Sequence, residues 1–417
     1  MLVYGKNVAI EYLEGNKKIV KGDENGYFGL IVDTENEKLT DINLDNINIV
    51  GHYAFMNCKN LKDANISKVF AIGDRAFMNC EKLAYVDITA LRNCGIEAFA
   101  NCKALTRLDN GRYTNFSEGM FRNAGLETVS FEADRIPDNC FTNCANLTYF
   151  EVINDLVYVG SRAFNNCKSL QEVKFNDGVG VEFIYRQAFN NCTNLTKITL
   201  PDSNFDFEEK VFSNCNALEE IIFNKETCIV NNHGTLFENC NKLTTFIVNE
   251  NNKYYAVSNN LLTNKEGNEI VLAASGFDYT NFEIPSNITT IKEAAFSGVE
   301  KLYEIVIPEN VKYIESRAFE NCKNLKSVTL SSSESEIGSY AFNNCSNLAT
   351  VNNIELVKDF NDYVFANTSL VSLDLNNVNI KEGAFSGINT LTSIFVKANE
   401  SSLWPRGLFK TYKEGFW

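Results

Sequence analysis

Residues Ile314-Glu315-Ser316-Arg317-Ala318-Phe319-Glu320-Asn321-Cys322-Lys323-Asn324-Leu325-Lys326-Ser327-Val328-Thr329-Leu330 set the pattern of the whole chain. Written as I-x-x-x-A-F-x-N-C-x-x-L-x-x-V-x-L, the stretch recurs from about residue 47 to residue 396. Its phenylalanine returns at Phe55, Phe77, Phe99, Phe121, Phe141, Phe164, Phe189, Phe212 and Phe237, then at Phe296, Phe319, Phe342, Phe365 and Phe385. Those fourteen copies are spaced by 20 to 25 residues, except across one wide gap. A fixed period in this range is the mark of a solenoid, in which each unit buries its apolar side only by stacking on its neighbours.

The second half of each unit alternates apolar and polar residues with β-branched types, as in Leu195-Thr196-Lys197-Ile198-Thr199-Leu200. That period of two predicts a strand buried on one face. The first half, with its A-F-x-N-C core, is too short for a self-supporting helix and reads as one turn or an irregular crossover. One short strand per unit, always entered from the same side, predicts a repeat solenoid with a parallel sheet. The bulkier crossovers take the convex side and the strands form a concave surface.

Residues 1–46 depart from the repeat and are expected to form an N-terminal cap over the open end of the stack. Nine repeats follow over 47–248. The step from Phe237 to Phe296 is 59 residues, and its extra length falls over 249–282. There, apolar runs around Asn264-Lys265-Glu266-Gly267-Asn268 predict a β-hairpin-like insertion. Five repeats over 283–396 lead to a C-terminal cap over 397–417, which carries Trp404, Phe409, Tyr412, Phe416 and Trp417.

A formal charge of −15 and a pI near 4.8 exclude a surface built for nucleic acid or anionic lipid, since both need clustered Lys and Arg. No window approaches the ~18 apolar residues of a membrane span, and Met1–Ile10 shows no signal-peptide pattern.

The Phe column reads as core. Ten of the thirteen cysteines share one slot after that Phe, and other units fill it with Ala124, Val299, Thr368 and Ile388. Cysteine there behaves as a small buried residue. Disulfides would need Cβ atoms closer than strand spacing, and zinc would need paired C-x₂₋₄-C ligands; neither is expected. The Asn before most of those cysteines suits a tight turn, with its amide satisfying backbone groups. Two histidines, His52 and His233, give general-base chemistry little support. No G-x-S-x-G, H-E-x-x-H, Walker or G-x-G-x-x-G pattern appears, so no cofactor, metal site or catalytic residue is expected.

The array I-x-x-x-A-F-x-N-C-x-x-L-x-x-V-x-I resembles the BspA-like leucine-rich repeats over about 47–396. The interruption at Tyr255, Leu261-Leu262, Asn264-Lys265-Glu266-Gly267, Leu272 and Ile284-Pro285 is similar to one that recurs in that family. The resemblance implies a leucine-rich-repeat-like curved superhelix and an extracellular or cell-surface protein. It also implies adhesion to host or surface proteins, and it brings no catalytic residues.

With Val and Ile of each strand inward, the concave column presents Tyr85, Arg107, Tyr149, Lys174 and Lys197. The apolar residues Ile222, Ile247 and Val306 lie beside the insertion. These eight are the candidate binding residues. The reading is of a monomeric, non-catalytic protein-binding module that uses this face and the 249–282 insertion. The alternatives are a passive structural surface protein without a specific ligand, and a carboxylate-based hydrolase.

Overall fold

The computed structural model describes the strands Val3–Tyr4, Ile10–Tyr12, Lys17–Val20 and Gly29–Leu30, and residues 39–396 apart from 46, 111–114, 132–133, 153, 230–235 and 376–378. The expected C-terminal cap, much of the expected N-terminal cap and His233 lie outside the described residues. The chain divides into two compact units: Met1–Asn231 with Asn249–Asn251, and Asn232–Val248 with Asn252–Trp417.

In the first unit, the alternating half of each repeat forms a strand parallel to that of the next coil. Asp41–Asn43, Asp63–Asn65, Tyr85–Ile88 and Arg107–Asn110 share one sheet. Thr128–Phe131, Tyr149–Val152, Glu172–Phe175, Lys197–Thr199 and Glu220–Phe223 share another. Burial follows the pleat: Val86 and Ile88 are buried while Tyr85 is exposed and Asp87 half-exposed. The first of these sheets starts with Ile10–Tyr12 antiparallel to Lys17–Val20, which then pairs in parallel with Asp41–Asn43.

Most coils also carry a second strand, where the sequence predicted only one. Ala71–Ile72 pairs with Ile49–Val50 and Asn93–Cys94, and Leu156–Val159 with Arg135–Ile136 and Val181–Ile184. Many of these strands are two residues long, so no alternation can register. The A-F-x-N-C crossover is a run of turns, and the one helix among the described residues is the 3₁₀ turn Ile354–Leu356. Crossover amides still find partners coil to coil: Phe55 N–H donates to Ala76 O and Asn57 N–H to Met78 O, at 2.7 and 2.8 Å. Pairing these buried amides removes a cost that irregular backbone would otherwise carry.

Asparagine holds its slot for two reasons. Asn57, Asn79 and Asn101 have φ of 62°, 63° and 63°, the left-handed region that Asn tolerates better than most residues. Their amides then bond to one another rather than to backbone: Asn79 Nδ2 donates to Asn57 Oδ1 at 2.6 Å, and Asn101 Nδ2 to Asn79 Oδ1 at 2.7 Å. Where the slot lacks Asn it holds glycine, as at Gly298 with φ 71°.

Inside, Phe55, Phe77, Phe99, Phe121, Phe141, Phe164, Phe189 and Phe212 form one stack in the first unit. Their ring centroids lie 5.0 to 5.7 Å apart. Each cysteine beside the stack is more than a filler. Cys80 Sγ donates to Phe55 O and Cys102 Sγ to Phe77 O, both at 3.2 Å. Eleven of the thirteen cysteines are buried thiols, and burial raises the affinity of Cys80, Cys140 and Cys167 for their protons.

The second unit repeats this plan from Phe296 through Phe319, Phe342 and Phe365 to Phe385. The segment 249–282 contributes three strands, Tyr255–Ser258, Leu261–Asn264 and Glu269–Ala273, antiparallel in sequence. The first turn uses Asn259 and Asn260, both at positive φ, and so needs no glycine. Glu269–Ala273 then pairs in parallel with Thr290–Ile291, the first of the short second strands of this unit. Leu261, Ile270 and Tyr279 belong to its buried core. Tyr279 and Phe282 meet the Phe296 ring at 5.9 and 6.0 Å, ending the stack with tilted rather than parallel rings.

Candidate functional site

The eight candidate residues divide between the units. Tyr85, Arg107, Tyr149, Lys174, Lys197 and Ile222 stand on strands of the first unit; Ile247 and Val306 stand on Thr245–Val248 and Glu304–Ile307 of the second.

In the first unit most candidates already have partners. The Arg107 guanidinium lies 5.8 Å from the centre of the Tyr85 ring, within cation–π range. Lys174 sits opposite Glu151 on the neighbouring strand and reaches it at 3.4 Å. Lys197 sits between Glu172 and Glu220 in register and reaches Glu220 at 3.1 Å. Such exposed pairs contribute about 0–1 kcal/mol each, but they occupy the lysines. Both lysines are among the candidate binding residues, and their pairing depends on a strand register that single-chain periodicity does not supply. Tyr149 is half-buried, and burial, then the nearby Glu151 and Glu172, raise its phenol above the ordinary value. Ile222 is only half-exposed, between the buried Ile221 and Phe223.

The second unit presents its apolar candidates more openly. Val306 is 56% exposed and Ile247 43%. Within this unit the two stand on different sheets, Val306 on that of Glu304–Ile307, Ser327–Leu330 and Thr350–Asn352. Opposite Val306 in register stands the half-exposed Thr329. Tyr303, one residue before its strand, carries the Lys326 ammonium 5.8 Å from its ring centre.

His52 is exposed, and its Nδ1 accepts the Asp74 backbone N–H at 2.9 Å, a link between coils. Among the described residues, no cluster of three or more His, Cys, Asp or Glu side chains is placed to hold a metal ion. No helix among them is long and apolar enough to cross a membrane.

Sequence reading missed a second exposed surface, formed by the short second strands of the second unit. Tyr313 on Tyr313–Ile314 is 48% exposed and lines a cleft of about 290 Å³ with Glu293, Glu315 and Glu336. Its residues come from positions that vary between repeats, so the only available signal was an aromatic at such a position.

The repeat is also that of a known family. The model of the BspA type leucine-rich repeat region matches residues 34–144, 134–265 and 274–399. A leucine-rich repeat protein from Bacteroides ovatus is 22% identical, with 94% of this chain and 87% of that one covered at a TM-score of 0.36. A leucine-rich cell surface protein from Faecalibacterium prausnitzii is 19% identical, with 96% of each chain covered at 0.36. The pneumococcal vaccine antigen PcpA is 16% identical, with 95% and 81% covered at 0.35. No curated protein matches the chain. Proteins of this repeat type are generally non-catalytic and serve at surfaces or in protein interaction. With most of its length matched by that model and both units built from the repeat, the chain belongs to the BspA type leucine-rich repeat family.

Proposed function

We propose that this chain is a monomeric, non-catalytic binding module that works at a cell surface and engages a host or cell-surface protein. The contact face is the strand face of the second unit around Val306 and Ile247, with the strands of 249–282 contributing to it. The observation that carries this reading is the exposure of Val306 at 56% on an otherwise regular strand. An apolar side chain so placed leaves more than half of its surface to solvent, and exposed apolar positions mark partner sites when they cluster. Ile247 and Val257, at 43% and 41%, are the other open aliphatics on strands near the insertion.

The test is capture of surface and extracellular-matrix proteins by the immobilised chain, followed by Val306→Lys and Ile247→Lys. Loss of the captured protein with an unchanged melting temperature supports the reading. Equal capture by both variants removes this face from consideration.

One observation favours the passive structural reading for the first unit. Its charged face residues pair internally, as in Lys174–Glu151 and Lys197–Glu220, and so ask for no partner. Substituting those four residues is expected to leave capture unchanged.

A further inference from the structure

Several tyrosines standing outward from the coils are met by a cation of the fold itself. Tyr85, Tyr303 and Tyr340 each carry a cation over the ring: Arg107 at 5.8 Å, Lys326 at 5.8 Å and Arg317 at 5.2 Å. Tyr313 is more exposed than Tyr85 or Tyr303, at 48% against 37% and 36%. Among the described residues, no cation lies over its ring.

The surroundings of Tyr313 are arranged for one. Tyr313 and Glu336 are direct register partners on adjacent parallel strands, so their backbones stand about 4.8 Å apart. Glu293 and Glu315 complete the acidic lining of the 290 Å³ cleft, and no Lys or Arg lines it. Glu315 is spoken for: its Oε1 takes the Lys292 ammonium at 2.6 Å and its Oε2 the Glu293 N–H at 2.9 Å. The carboxylates of Glu293 and Glu336 have no ion pair among the described residues. With Lys292 counted against Glu315, the cleft keeps two uncompensated negative charges beside an open π face.

We infer that this cleft receives a lysine or arginine side chain from a basic, extended segment of a partner protein. The ring face attracts the cation through its quadrupole, most strongly for a planar guanidinium. Glu336 and Glu293 supply the charge complementarity that orients it. The same contact occurs within the fold, where Arg317 covers Tyr340 from the preceding coil; a partner's arginine over Tyr313 repeats it in trans. This surface consists of the second strands and is separate from the Val306 strand face, so the two readings stand or fall separately.

The test uses the full chain and a fluorescein-labelled dodecapeptide of alternating Arg and Ser, with a Gln-for-Arg peptide as control, read by fluorescence anisotropy. Saturable binding of the Arg peptide alone is expected. Tyr313→Ala is expected to weaken it about two- to fivefold, and Tyr313→Phe, which keeps the ring, to restore it. Glu336→Gln should weaken binding as well, while Glu219→Gln, an exposed carboxylate of the first unit, should not. Absence of saturable binding overturns the proposal. So does equal weakening by Glu336→Gln and Glu219→Gln, which would mean general attraction to an acidic chain. Val306→Lys should leave peptide affinity within about twofold, since at 0.15 M salt a distant charge is screened beyond about 8 Å.

Discussion

The thiol of Cys322 donates to the backbone carbonyl oxygen of Phe296, one coil earlier, at 3.0 Å. The same bond joins Cys345 to Phe319 at 3.1 Å and Cys215 to Phe189 at 3.3 Å. Cysteine therefore fits this slot as a small side chain that also gives a buried carbonyl a second donor beside a backbone N–H. Cys322→Ala should leave Phe296 O with only the Val299 N–H, which it also accepts at 3.1 Å, and cost about 0.5–1.5 kcal/mol, read as a lower denaturant midpoint. A variant as stable as the parent would show the thiol to be filler.

Phe319 lies between Phe296 and Phe342, with ring centroids 5.0 and 5.1 Å away and the second pair parallel. Truncating it to alanine removes both ring contacts and opens a cavity between coils. The expected loss is about 3–5 kcal/mol, visible as a lower melting temperature. An unchanged melting temperature would mean that the column does not carry the core.

Asn321 combines a φ of 62° with an amide that accepts from Asn344 Nδ2 at 3.3 Å. Asn321→Gly keeps the backbone conformation and loses only the amide link. Asn321→Ala loses both, with a left-handed penalty of about 1–2 kcal/mol. The alanine variant should therefore be the less stable of the two by thermal melting; the reverse order would mean that the amide ladder outweighs the backbone.

Burial pushes the thiols of Cys102 and Cys144 from 9.0 up to about 12. Below pH 9 folded and unfolded chains hold these protons equally, and the stabilisation is complete. Between pH 9 and 12 the unfolded chain ionises while the folded one does not, so stability falls as pH rises. The urea midpoint should drop across that window, and less steeply in Cys102→Ala/Cys144→Ala. Parallel slopes would show that these thiols titrate alike in both states.

Much of the fold was legible because its determinants repeat. Phe319, Cys322, Leu325 and Val328 are all fully buried, as a period of 22 or 23 residues with alternating strand ends requires. What the sequence hid depends on register or on single-residue backbone states. Ala71–Ile72 is a strand only because neighbouring coils pair with it. Lys197 looked available until its position beside Glu220 was known. The Tyr313 cleft draws Glu293, Glu315 and Glu336 from three successive coils, at positions where repeat comparison registers only variation.

The spacing of Phe296, Phe319, Phe342 and Phe365 has an evolutionary consequence. Each step is 23 residues, and the left-handed residues Arg317, Tyr340 and Tyr363 recur at the same step. Excising one such period, or copying it, joins two coil surfaces that already match in ring stack, turn geometry and strand pairing. Unequal recombination can thus lengthen or shorten the array by whole coils while leaving every remaining interface intact. The number of coils is then free to follow the size of whatever the surface must span.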